Sequence, residues 1–343
     1  MTLSKKTGKD TISLAKEIEV LLNADKTVYD SIDEKHKVLN AYCNAVGHKV
    51  SGEKVSVDCT KLCNVLNEMS SWIADHIRKT EWITNKEGNS WFNGYYDNSG
   101  NAVEGDFSSG VRMMLTGQVF AIMSGTATDE QVAKIVKSAD DYLYDGAIGG
   151  YRLNTNFNEV KTDLGRMFGF AFGHKENGAV FSHMAVMYAN ALYRRGFAKE
   201  GYKVINTLYK HCHNYSVSCI YPGVPEYVNQ RGQGMYHYLT GSASWLLLTV
   251  LNEMYGIKGE LGNLKLQPKL LKEQFKDNKA GASCLFGGVN INVIYENPKG
   301  LDAGEYSVKE IYINNEKYGN GDVIAKEDIN KLNKEVQITA VLG

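Results

Sequence analysis

From Gly173 to His183 the chain reads GHKENGAVFSH, so that His174, Lys175 and Glu176 crowd together just ahead of a second imidazole, His183. An ammonium and two imidazoles offer N–H donors, while the Glu176 carboxylate can accept from two hydroxyls of one ligand. Asn177-Gly178 is a turn signal. The following AVFSHMAVMYANALYRRG has a helical pattern that stops at Arg194-Arg195-Gly196, basic residues and then a C-terminal glycine. The polar group therefore sits at the entrance to a helix. A second entrance lies in YPGVPEYVNQRGQGMYHYLTGSASW, from Tyr221 to Trp245, where Thr240-Gly241-Ser242 precedes the apolar run WLLLTVLNEMYG. Free backbone N–H groups at such a start attract anions. Together the two entrances suit a ligand set of anion plus polyhydroxylated molecule.

The elements that must hold these residues are mostly helical. An apolar stripe of period near 3.6 (Leu62, Val65, Leu66, Met69, Trp72, Ile73) predicts an amphipathic helix over Lys61 to Ile77. Arg112 to Met123 and Glu130 to Tyr144 form the next helical pair, with a capping box at Thr128 to Gln131. Helices over Val180 to Arg195, Lys199 to His211 and Ser242 to Tyr255 complete the series, and successive helix hairpins imply a toroid or bundle. The last of these is apolar on nearly every side and is expected to be buried among other helices. Before Lys61, the stretch from Asp10 to Cys43 reads as one or two surface helices followed by a polar connection, SGEKVSVDCT. After Gly259 short β-rich runs separated by turns predict a closing antiparallel β domain. The fold class is thus mainly α followed by β, with segments 1–55, 56–257 and 258–343.

Other constellations have competing readings. The loop TEWITNKEGNSWFNGYYDNSGNAVEGDFSSG, rich in aromatics and acids, is long enough to be functional; Trp91, Tyr95, Tyr96, Asp97, Glu104 and Asp106 are its candidates, or else it packs on itself. His183 alone could be a core histidine bonded to backbone, and Glu176 a turn cap. His211, Cys212, His213 and Cys219 lack the paired knuckle spacing of a closed zinc site, and Cys59 and Cys63, one helical turn apart, are explained by packing. No metal is expected.

Composition narrows the class further. The 343 residues carry 38 Lys and Arg against 39 Asp and Glu, with a hydrophobic share of 43%. Near-neutral charge gives no footprint for nucleic acid or an anionic membrane, and no apolar span reaches membrane length. The N-terminus lacks the apolar core of a secretion signal, so a cytoplasmic protein with reduced cysteines is expected.

In order and spacing, a KENG turn followed by a histidine on a helix, a proline- and tyrosine-rich loop, and then TGSASW at a helix start resembles the inverting glycoside phosphorylases of glycoside hydrolase family 94. These include the cellobiose, cellodextrin, chitobiose and oligoglucan phosphorylases. WFNGYYDNSGNAVEGD, GQVFAIMSGTATDEQ and GIKGELGNLKLQPKL extend the resemblance from Trp72 onward. It implies an (α/α)6 barrel, here partial, followed by a jelly-roll-like β domain. It implies phosphate binding by His183, Thr240 and Gly241, with Gln230 in the loop, and sugar binding by Glu176, Glu226 and Tyr227. Inorganic phosphate would be the co-substrate, β-linked gluco-oligosaccharides the substrate, and no cofactor is implied.

One departure stands out. The family's catalytic aspartate lies in a DWND-type motif upstream of the first predicted helix, and no such motif occurs in this sequence. The helices are also too few for a complete barrel. The expectation is a C-terminal part of a phosphorylase that lacks its general acid and joins the missing N-terminal part of the barrel or a second copy. A hydrolase on the same fold, or a non-catalytic carbohydrate-binding subunit, are the alternatives.

Overall fold

The computed structural model describes residues 8–221, 223–236 and 241–343. They fall into two compact units, divided between Thr80 and Glu81. In the first, strand β1 (Thr11–Ala15) precedes helix α1 (Ile32–Val46), strand β2 (Lys54–Asp58) and helix α2 (Cys59–Thr80). Ser31 caps α1 by accepting from the Glu34 N–H, and Asp58 does the same for the Lys61 N–H at the start of α2. The Trp72 ring stacks on His76 with centroids 4.9 Å apart.

Two expectations for this unit are corrected. Residues 11–15 are a strand, not part of a helix, and SGEKVSVDCT is no mere connection. β1 and β2 pair antiparallel, Thr11 opposite Asp58 and Ala15 opposite Lys54. Thr11, Ile12, Val55 and Val57 carry the β-branched side chains that suit a pleated surface, and the partner strand is too distant in sequence for local periodicity to reveal it.

The second unit opens with two small hairpins, β3 (Trp82–Thr84) with β4 (Ser90–Phe92) and β5 (Gly105–Phe107) with β6 (Gly110–Arg112). Helices α3 (Leu115–Met123) and α4 (Asp129–Tyr142) follow. The capping box at α4 is present in full: Thr128 accepts from the Gln131 N–H, and the Gln131 side chain accepts from the Thr128 N–H. After strand β7 (Val180–Phe181) come α5 (Ser182–Arg194) and α6 (Ala198–His213), then β8 (Tyr227–Val228), β9 (Gly234–Met235) and α7 (Gly241–Leu248), which runs on into a π-helical turn, Thr249–Met254.

α5 is the axis of the core. It packs against α3, α6 and α7, and every residue from Ala185 to Tyr193 is buried. α7 departs from expectation. Leu247 and Leu248 are exposed, whereas Ser242, Thr249 and Glu253 are buried. The cause is polar anchoring: Ser242 Oγ donates to the Pro225 carbonyl, Asn190 Nδ2 donates to Thr249 Oγ1, and Glu253 pairs with Lys258 and Lys269.

Beyond residue 256 the chain is β-rich, with β10 (Ile257–Glu260), β11 (Asn263–Leu266), β12 (Lys279–Phe286), β13 (Val289–Glu296), β14 (Val308–Ile313), β15 (Glu316–Asn320), β16 (Val323–Ile324) and β17 (Glu335–Leu342). β10, β11 and β16 form one sheet, and the other has the order β12-β13-β17-β14-β15. The antiparallel expectation is corrected here, since β13 and β17 pair in parallel, Ile291 opposite Val336. Parallel neighbours need a long crossover, and the chain between Glu296 and Glu335, which includes the β14–β15 hairpin, supplies it. Among the described residues no helix is long and apolar enough to cross a membrane.

Candidate functional site

A three-stranded sheet, β9-β8-β7, draws the two polar stretches together. Tyr227 lies opposite Phe181 and Met235, and Val228 opposite Val180 and Gly234. The Ser182 N–H donates to the Glu226 carbonyl at 2.9 Å, so the start of α5 is tied to the Glu226 main chain. The Gln230 N–H donates to the Gly173 carbonyl at 3.0 Å. Gly173 is required there: a Cβ would lie 2.5 Å from the Gln230 Cβ, and its φ of +86° is a left-handed conformation.

The turn itself is held by amides. Gly173 and Asn177 close it, with the Gly173 N–H on the Asn177 carbonyl at 2.7 Å, and Lys175 takes a left-handed φ of 48°. Asn154 Nδ2 donates to Asn177 Oδ1, the Gly178 N–H donates to Asn154 Oδ1, and Asn177 Nδ2 donates to the Phe170 carbonyl. This buried pair fixes where Glu176 projects. Glu176 Oε1 is 3.3 Å from Arg166 Nε, while its Oε2 is buried and has no hydrogen-bond partner among the described residues.

His183, in the first turn of α5, lies against Gly241 at the first residue of α7. A Cβ on Gly241 would stand 2.7 Å from His183 Cε1. The ring is 6.2 Å from that of Trp245, centroid to centroid. Burial lowers the His183 pKa and favours the neutral imidazole. Its Nε2 is buried and without a partner among the described residues. Orphaned buried polar atoms are uncommon in folded proteins and call for an explanation such as water, an ion or a ligand. Two of them fall on residues that the sequence singles out for anion and sugar binding.

The remaining candidates separate. Tyr227 is buried in the central strand, its ring parallel to that of Phe181 at 6.5 Å, and burial raises its pKa. Glu226 and Glu176 both lie within electrostatic reach of its phenol. Gln230 is exposed and meets Gly173 at the turn. Thr240 lies outside the described residues. Arg166, Lys175, Tyr236 and Asn154 lie in this region without a motif that marks them. Lys175 Nζ sits 4.4 Å from the centre of the Tyr236 ring, and a hydrogen bond to Tyr236 raises its pKa. The run of asparagines in RLNTNFN was the available signal for Asn154.

The aromatic loop changes role. Trp91 is fully buried, and Glu104 is buried with its oxygens on the Gly94 and Met114 N–H groups, each at 2.8 Å. Burial pushes the Glu104 carboxyl up to about 8 although both N–H groups pull the other way. Both residues fill the interior under α3. Asp97 caps its own turn through Ser99 and Asn101, Asp106 accepts from the Lys86 N–H, and Glu159 pairs with Arg112 at 2.6 Å. His211 Nε2 is 2.7 Å from the Gly232 carbonyl. Among the described residues no group of three His, Cys, Asp or Glu side chains converges to hold a metal.

A half-buried imidazole with an unpartnered Nε2 at one helix start, set against the start of another, and a carboxylate with one unpartnered oxygen are the polar features of this region. Residues 59–256 match the family model of the glycosyl hydrolase 94 superfamily, catalytic domain, and the chain belongs to that superfamily. It is 23% identical to a solabiose phosphorylase of Paenibacillus borealis over 60% of this chain and 27% of that protein. It is 24% identical to a cellobionic acid phosphorylase of Neurospora crassa, over 60% of this chain and 26% of that protein. A 3-O-beta-D-glucopyranosyl-beta-D-glucuronide phosphorylase of Paenibacillus borealis is 24% identical over 73% of this chain and 32% of its own length. The chain thus spans about a quarter to a third of these relatives.

Proposed function

We propose that this chain supplies the phosphate site and part of the sugar site of an inverting glycoside phosphorylase acting on β-linked gluco-oligosaccharides. The observation that carries the reading is the unpartnered His183 Nε2 beside Gly241 at the start of α7. A neutral imidazole carrying its proton on Nε2 donates to a phosphate oxygen there, and the N–H groups that open α7 add a favourable field. Glu176 Oε2 accepts from sugar hydroxyls, with Arg166 holding the other oxygen. Glu226, Tyr227 and Gln230 are assigned further contacts to sugar and phosphate, and Thr240, outside the described residues, is assigned to the phosphate.

In the reaction a phosphate oxygen attacks the anomeric carbon as the glycosidic C–O bond breaks, and the leaving oxygen takes a proton. Phosphate is already an anion, so no general base is needed, whereas one carboxylic acid is. No carboxylate of this chain is assigned that role. In this reading another helical segment brings the acid and completes an (α/α)6 barrel against the uncovered Leu247 and Leu248 face of α7, and the sheets after residue 256 are its jelly-roll-like companion.

The test is release of sugar 1-phosphate from a cello-oligosaccharide and inorganic phosphate. The chain alone should give none, because loss of general-acid catalysis costs roughly 10² to 10⁴-fold. Adding a family segment that carries the DWND-type aspartate should restore it, and His183→Ala should remove it again. Turnover by the chain alone, or sugar release that ignores phosphate, would contradict the proposal.

A further inference from the structure

A cleft in the second unit is lined by none of the residues around His183. It has a volume of about 930 Å³ and is walled by α4, the first half of α6 and residues 271–273. Its lysines, Lys199, Lys203 and Lys272, are set against carboxylates that include Asp140, Glu200 and Glu273. Several of these groups are held in place. Lys203 Nζ donates to Asp140 at 2.7 Å, the Tyr151 hydroxyl donates to the same oxygen, and the Lys272 N–H donates to Asp302. Between them, Tyr202 presents a half-buried ring and Asn206 an amide.

Two buried hydroxyls lie behind the wall of this cleft without lining it. Tyr188 and Tyr193, on α5, each have an oxygen without a hydrogen-bond partner among the described residues. The Tyr188 ring meets that of Tyr151, centroids 5.3 Å apart, and the Tyr151 hydroxyl bonds Asp140 of the wall. The start of α6 presses on Tyr193, since a Cβ at Gly201 would be 2.6 Å from its ring. Phenols in such places usually have a partner.

We propose that this cleft is a second binding site, separate from that at His183, and that it takes a neutral oligosaccharide. Interleaved cations and anions disfavour an ionic ligand of either sign, but together they donate to and accept from the hydroxyls of a sugar. The Tyr202 ring supplies an apolar face for a pyranose, and Asn206 adds both a donor and an acceptor. The separation follows from α5: His183 stands in its first turn and Tyr193 in its last, ten residues and so about 15 Å apart along the axis. The sugar class rests on the glycoside-phosphorylase reading, whereas the cleft and its lining do not.

Calorimetric titration of the full chain with cellotetraose, without phosphate, tests this. Saturable binding is expected, roughly tenfold weaker in Asn206→Ala, the scale of one lost hydrogen bond. Lys199→Ala, on an exposed position of the wall, should weaken it as well and keeps the test open if Asn206→Ala fails to melt like the wild type. If cellotetraose binding is lost in Glu176→Ala and untouched by Asn206→Ala and Lys199→Ala, the sugar sits at the first site and the second site is refuted. If phosphate binds at His183 while cellotetraose does not bind at all, the second site is again refuted and the proposed function survives. Failure of both ligands to bind would overturn both.

Discussion

α5 and α7 have similar apolar content and opposite fates. α5 buries nearly its whole length, including Tyr188, Leu192 and Tyr193, against α3, α6 and α7. α7 and its π-helical extension bury Ser242, Thr249 and Glu253, and leave Leu247 and Leu248 in the open. Hydrophobicity says what a helix can bury, and the neighbours decide what it does bury. Both helices start at the candidate site, so a rigid helix and one held by hydrogen bonds and an ion-paired carboxylate meet at His183 and Gly241.

Core truncation should break this contrast most visibly. Leu192→Ala removes a fully buried side chain and is expected to cost about 2–5 kcal/mol by denaturant unfolding. A cost near zero would mean that α5 is not the core axis. Glu104→Gln tests a buried polar group beneath α3 in the same way. Its amide would turn an N–H toward one of the two backbone donors, at a cost of about 1–3 kcal/mol. The sign of the pH dependence is fixed by the raised pKa. The folded chain keeps the Glu104 proton up to about 8 while the unfolded chain loses it near 4.5. Stability from this group is therefore fully present below 4.5 and lost as pH rises toward 8. The variant should be hurt most at pH 5 and least at pH 8, and a penalty that grows with pH would show that Glu104 is ionised throughout.

Thr249→Val leaves Asn190 Nδ2 without its acceptor and should cost about 1 kcal/mol. If the change stabilises the chain instead, polar anchoring does not set the facing of α7. Leu247→Ala should stay within about 0.5 kcal/mol, and a core-sized loss there would reveal a covering surface on that face.

Much of this was legible in the sequence where the signal is local. The capping box at Thr128, the spans of α4 and α6, and the turn ahead of α5 all rest on residues within a few positions of one another. His183 and Gly241 could be paired only through the resemblance, yet the fold brings them into contact. What escaped is non-local. β1 finds its partner beyond α1, β17 inserts beside β13 in parallel, and Asn154 reaches across to Asn177. For Trp91 and Glu104 a functional and a self-packed loop stood open, because nothing in their own stretch announces α3 and α4 lying over them. The facing of α7 was misjudged for a related reason, since its anchors on Asn190, Pro225 and Lys269 come from three other segments.

The central claim is that His183 and the start of α7 form an anion site, and titration with inorganic phosphate near neutral pH addresses it directly. Wild type should bind with an affinity that His183→Ala reduces at least tenfold, the scale of one lost hydrogen bond to a charged ligand. Gly241→Ala should weaken binding too, by driving a methyl group into the His183 ring without touching any charge. Equal phosphate affinity in all three proteins, each folded by its melting curve, would remove the site from His183 and with it the reading of this chain as the phosphate-binding part of a phosphorylase.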